Sequence, residues 1–101
     1  MAKKYKIITL CGDTKFKDEF MQVQKGLTLN GNIVIAPGIY NQFDNDLDLK
    51  TIMMLGSMHK QKINMADEIF VINPSGYIGK NTKSEIDYAI SIGKKVNYLE
   101  E

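Results

Sequence analysis

The chain predicts a small α/β domain of the doubly wound type, with about four strands in the order 2-1-3-4 and three helices. Two observations carry this. Short isoleucine- and valine-rich runs, stopped by glycine or proline-glycine, alternate with segments whose apolar residues recur at helical spacing. Strand–helix alternation implies right-handed crossovers and a parallel sheet. The length of 101 residues suits one domain spanning 1–101, and 44% hydrophobic content is enough for a core.

Each element has its own signature. Residues 5–10 form an apolar run ended by Gly12 and predict a buried first strand. Over 14–29, Phe16, Phe20, Val23 and Leu27 fall on one helical face, and Asn30-Gly31 closes it as a C-cap. Residues 32–36 predict a second strand, halted by Pro37-Gly38. The polar, acidic stretch 40–48 predicts a mobile loop. A second helix is expected over 49–66, with Ile52, Leu55, His59, Ile63 and Ala66 on one side. Residues 68–73 are the clearest strand, 74–80 a glycine-containing loop, 81–92 a third helix closed by Gly93, and 96–99 the last strand.

Thirteen Lys plus Arg against 12 Asp plus Glu leave a formal charge of +1, which makes no case for duplex nucleic acid or an anionic membrane. No apolar stretch approaches the ~18 residues of a membrane span. One cysteine, Cys11, excludes an internal disulfide and suits a reducing compartment. No signal peptide is visible, so the expected location is cytoplasmic. With a single Cys and a single His, no conventional zinc site is expected, and no cofactor is called for.

In doubly wound sheets ligands bind outside the carboxyl ends of the strands at the switch in strand order. Three segments are expected to converge there, contributing Cys11, Gly12 and Asp13; Pro37, Gly38 and Tyr40; and Asn73 with the loop and helix that follow. Ser75, Gly76, Tyr77, Gly79, Asn81 and Thr82 run into a helix N-terminus, where free N–H groups attract phosphate or carboxylate. The same glycines can serve only the turn, with Asn81 or Thr82 only capping the helix. Glu85 follows Thr82 at capping-box spacing, and equally places a carboxylate at the crevice. His59 is either a proton-handling group or a hydrogen-bonded core residue. Asp67 is either structural or a crevice group.

Three stretches carry a resemblance: Ile8-Thr9-Leu10-Cys11-Gly12-Asp13-Thr14-Lys15-Phe16, then residues 58–67, and most specifically Gly76-Tyr77-Ile78-Gly79-Lys80-Asn81-Thr82-Lys83-Ser84-Glu85-Ile86-Asp87-Tyr88-Ala89. In this order they resemble the nucleoside 2-deoxyribosyltransferase-like family across nearly the whole chain. The resemblance implies a flavodoxin-like fold, assembly through dimers, and cleavage of the N-glycosidic bond of deoxynucleosides or deoxynucleotides. It also implies that Glu85, at the start of the third helix, is the nucleophile of a two-step glycosyl transfer.

The chain departs from those enzymes at named positions. Their aspartate eight residues before Asp67 is replaced by His59, and their Asp or Ser six residues before the nucleophile by Gly79. Thr9 and Leu10 stand in the region of their first-strand tyrosine. The enzymes also continue past the last strand and lend a residue to a neighbouring subunit. The first expectation is therefore an N-glycoside hydrolase or transferase using Glu85 with His59 assisting, on a nucleoside, nucleotide or cyclic nucleotide. The alternative is a binding module without turnover, such as a phage-type sponge for cyclic nucleotide or cyclic ADP-ribose-like immune signals, with Tyr40 and Tyr77 as aromatic contacts. A third is an oligomeric structural domain with a vestigial cleft. Met53, Met54, Met58 and Met65 and the short chain point to a homodimer or homotetramer.

Overall fold

An apolar strand is stable in a sheet only with both faces covered, and β1 (Ile7–Gly12) has its four central residues buried. It pairs in parallel with β2 (Ile33–Ile35) on one side and β3 (Glu68–Ile72) on the other, and β3 carries β4 (Lys95–Tyr98) at the far edge. The order is β2-β1-β3-β4, all parallel, as predicted. Three helices, α1 (Lys17–Leu29), α2 (Leu49–Met65) and α3 (Lys80–Ser91), make the crossovers. The architecture is that of a small flavodoxin-like α/β fold. This computed structural model describes residues 4–40 and 47–101, so most of the loop expected over 40–48 lies outside the described residues.

The period-2 alternation of the strands divides the core between two layers. Leu10 and Ile72 pack with Phe20 of α1 on one face. Cys11, Ile69 and Val71 pack with Ile63 of α2 and Ile86 and Ala89 of α3 on the other. Full burial of each such side chain contributes about 1.5–3 kcal/mol relative to exposure. No helix among the described residues is long and apolar enough to cross a membrane.

The element ends differ from the sequence expectation in ways that matter for the site. β1 begins two residues later than expected and runs on to Gly12, because Cys11 and Gly12 find partners in Val71 and Ile72. Cys11 is thus a fully buried strand residue rather than part of a loop. A Cβ at Gly12 would sit 2.8 Å from the Ile72 carbonyl oxygen, so glycine is what lets the two strand ends close up. α1 starts at Lys17 because Asp13 turns the chain first, accepting the Lys15 N–H through Oδ1 and the Phe16 N–H through its carbonyl. α2 starts where expected, with Asp48 accepting the Thr51 N–H at 2.8 Å. The Pro74–Gly76 segment forms one 3₁₀ turn, with Ser75 in the left-handed region at φ 54°.

Candidate functional site

Crossover helices run back over the sheet, so the middle of α2 and the first turns of α3 come together above the carboxyl half of β1. Hydrogen bonds hold them there. The buried Thr9 hydroxyl donates to the Lys62 carbonyl at 2.8 Å, fixing α2 against β1. The Tyr88 hydroxyl donates to Asn64 Oδ1 at 2.8 Å, and Lys94 Nζ to the Asn64 carbonyl at 3.2 Å, fixing α2 against the α3 side.

Three side chains converge inside this frame. Cys11 Sγ lies 3.3 Å from His59 Nε2, and the same nitrogen lies 3.4 Å from Glu85 Oε1. The Cys11 residue is fully buried, while the His59 and Glu85 side chains keep 13% and 24% of their exposure, so the cluster is enclosed but not sealed from solvent. Glu85 Oε1 itself is enclosed and makes no well-formed hydrogen bond despite its closeness to the imidazole. Burial pushes the Cys11 thiol well above its usual range, and the adjacent Glu85 carboxylate raises it further.

The structure removes one of the two roles that spacing left open for Glu85. The N-cap of α3 is Gly79, with no side-chain cap, so the capping-box position belongs to Thr82 and not to Glu85. Glu85 instead sits a turn further on, facing His59. Asn81 is exposed and Thr82 is buried; neither is the helix cap.

The remaining expected site residues divide into two groups. Ser75, Gly76 and Tyr77 are exposed in the loop that leads into α3, although the Gly76 and Tyr77 N–H groups are already bonded to the Asn73 and Pro74 carbonyls. Tyr77 stands edge-on to Phe16 with centroids 5.7 Å apart, and Lys15 Nζ lies 4.2 Å from its ring centroid. Lys15, whose Nζ also lies 4.0 Å from Asp13 Oδ2, is a cation beside Tyr77 that the sequence did not single out, since nothing in its spacing ties it to that ring. The first-turn N–H groups of α3 have no partner within the helix.

Other residues are occupied elsewhere. The Asn73 side chain donates to the Glu100 carbonyl and accepts the Glu100 N–H, both at 2.9 Å, so it ties down the chain after β4. Tyr40 packs edge-on to Phe20, 5.5 Å between centroids, in the α1-side core; burial raises its hydroxyl pKa. That places the ring across the sheet from Cys11, His59 and Glu85. Pro37 is half-buried and Gly38 exposed after β2. Asp67 accepts the Ile7 N–H at 2.8 Å at the amino end of the sheet, away from the crevice.

A concavity of about 450 Å³ lies on the α1 face, lined by Ile8, Leu27 and Phe70 among others. Of its polar lining, Lys6 and Asn97 both meet the Glu68 carboxylate. The Cys11–His59–Glu85 cluster is therefore the candidate site.

What that cluster can do follows from its geometry. A cysteine–histidine–acid relay needs the thiol and the carboxylate on opposite ring nitrogens. Here both face Nε2, and the thiol is held protonated, so no cysteine nucleophile is built. A protonated Nε2 donates to Glu85; an unprotonated one accepts from the Cys11 thiol. Which of the two His59 Nε2 bonds therefore depends on the tautomer and protonation state of the ring. No protein-family profile matches this chain, and no curated protein matches its sequence.

Proposed function

We propose that the protein binds a nucleoside or nucleotide at the carboxyl end of its sheet and cleaves or transfers the N-glycosidic bond, with Glu85 as nucleophile and His59 as its proton partner. The single observation that supports this most is the 3.4 Å approach of His59 Nε2 to Glu85 Oε1 in a partly open setting. It joins the two residues that the resemblance to the deoxyribosyltransferase-like family picks out at separate places in the chain. In the first step the Glu85 carboxylate forms a bond to the anomeric carbon as the carbon–nitrogen bond breaks. The base leaves with the bonding pair and takes a proton from His59. In the second step water or another base attacks the glycosyl ester, His59 accepts the proton, and Glu85 is released. The exposed loop Ser75–Gly79 and the first turn of α3 receive phosphate, with Lys15 as counter-charge and Tyr77 as a stacking face. The protein works as a homodimer or homotetramer.

The alternative, a nucleotide-binding module without turnover, is favoured by His59 standing where the enzymes carry a carboxylate. One experiment separates the two. Release of free base from a panel of deoxynucleosides, deoxynucleotides and cyclic nucleotides is followed chromatographically, with affinity measured by calorimetry. Glu85→Gln is expected to abolish release while leaving affinity within a few-fold. Release that persists undiminished in Glu85→Gln overturns the nucleophile; tight binding without release in the wild type assigns the sponge.

A further inference from the structure

Apart from any sugar chemistry, the same three side chains make a donor set that neither composition nor spacing reveals. Cys11 and His59 are 48 residues apart in sequence, and Glu85 lies on a third element. Their ligand atoms all fall within 4.8 Å of one another. Tetrahedral zinc with Zn–S near 2.3 Å and Zn–N and Zn–O near 2.0–2.2 Å requires donor–donor edges of about 3.4–3.6 Å. The two edges meeting at His59 Nε2 are 3.3 and 3.4 Å.

We propose that Cys11 Sγ, His59 Nε2 and Glu85 Oε1 form a three-ligand site for Zn²⁺, with the fourth position open toward the crevice. Three features support it besides the edges. Sγ and Oε1 converge on one ring nitrogen, which can satisfy only one of them by hydrogen bonding, whereas a cation between the three satisfies all. Glu85 Oε1 is enclosed and makes no well-formed hydrogen bond, its closest polar contact being His59 Nε2 at 3.4 Å. A sulfur–nitrogen–oxygen set prefers zinc and its transition-metal neighbours over magnesium or calcium, which seek oxygen alone. On binding, Cys11 releases its proton to solvent and the thiolate becomes the ligand. The ligands sit on a strand and two helices, so little rearrangement is needed.

The site does not depend on glycosyl chemistry. Where both operate they compete for the Glu85 carboxylate, and Zn²⁺ then inhibits base release.

The test uses the untagged, reduced full chain titrated with Co²⁺ as a spectroscopic stand-in. The expected result is one equivalent bound, with a near-ultraviolet thiolate-to-cobalt band and the visible bands of a tetrahedral ion, all displaced by Zn²⁺. Cys11→Ser should lose the near-ultraviolet band, and His59→Ala and Glu85→Gln should each weaken binding at least about tenfold. Circular dichroism reports whether each variant folds, and the two solvent-reachable positions test the site even if Cys11→Ser does not. Absence of the thiolate band in the wild type, or unchanged affinity in both His59→Ala and Glu85→Gln, overturns the proposal. No substrate enters the measurement, so failure of the metal site and failure of the glycosyl reading are separate results.

Discussion

Thr9 occupies the middle of a strand covered on both faces, where a β-branched hydrocarbon would pack equally well. Its hydroxyl is there for α2. The Ala66 N–H turns to the Ile63 carbonyl at the end of that helix, leaving the Lys62 carbonyl to be met by Thr9. Thr9→Val keeps the shape and orphans that carbonyl, so it should destabilise the fold by about 1–3 kcal/mol in urea unfolding. A change under 0.5 kcal/mol would show that the bond carries no weight. At this scale the chain disclosed some roles and hid others. Helical spacing correctly put His59 on the inner side of α2, because periodicity reports which face a residue occupies. Spacing could not settle Glu85, since a glutamate three residues after a threonine suits a cap and a crevice alike. It also could not show that Asn73 is spent on Glu100, or that Cys11 meets His59; both contacts join residues far apart in sequence.

α2 is the element on which the site depends most, and it enters through an acid. Asp48 caps it by accepting the Thr51 N–H, and the Thr51 hydroxyl together with that N–H holds the carboxyl below its usual range. A carboxyl whose pKa is lowered by folding stabilises the native state in full above its unfolded value, near 3.9, and loses that contribution as pH falls through the lower native value. Asparagine can cap without titrating. Wild type should therefore lose stability relative to Asp48→Asn as pH drops from 5 to 3, and the two should run parallel above pH 5. Urea midpoints across that range check it; parallel curves down to pH 3 would remove Asp48 from the acid response. The helix bounds themselves were readable to within a residue at α2 and α3, where Asp48 and the glycines mark the ends. α1 was misjudged by three residues because the Asp13 turn precedes it.

For the molecule as a whole, the exposed apolar side chains of α2 stand out. Leu49, Ile52, Met53, Met54, Met58 and Met65 are all about half exposed or more, and the expected inner stripe is buried only at Ile63 and Ala66. Unbranched methionines make an adaptable apolar surface, and a domain this short gains from covering it. Met54, Met58 and Met65 share one face of α2, and the proposed homo-oligomer places that face between subunits. Light scattering at micromolar concentration should give at least twice the 11.4 kDa chain mass. Met54→Lys combined with Met58→Glu should return it to one chain without loss of helicity. A wild-type monomer would leave the α2 face uncovered and end the proposal.

Strand number, strand order and helix number were determined by the sequence alone. Apolar periodicity and glycine punctuation act through nearby residues, and right-handed crossovers leave few ways to arrange what they define. The site was decided by tertiary structure. Which helix turn faces which strand residue depends on packing among Thr9, Lys62, Asn64 and Tyr88, and on Gly12 letting β1 close against Ile72. A shift of one residue in any of these elements would turn Cys11, His59 or Glu85 to another face, because side-chain direction changes by about 100° per helical residue and by half a turn per strand residue. Local pattern does not encode that register at the precision of a hydrogen bond, and so the meeting of a thiol, an imidazole and a carboxylate at one point is a property of the folded chain.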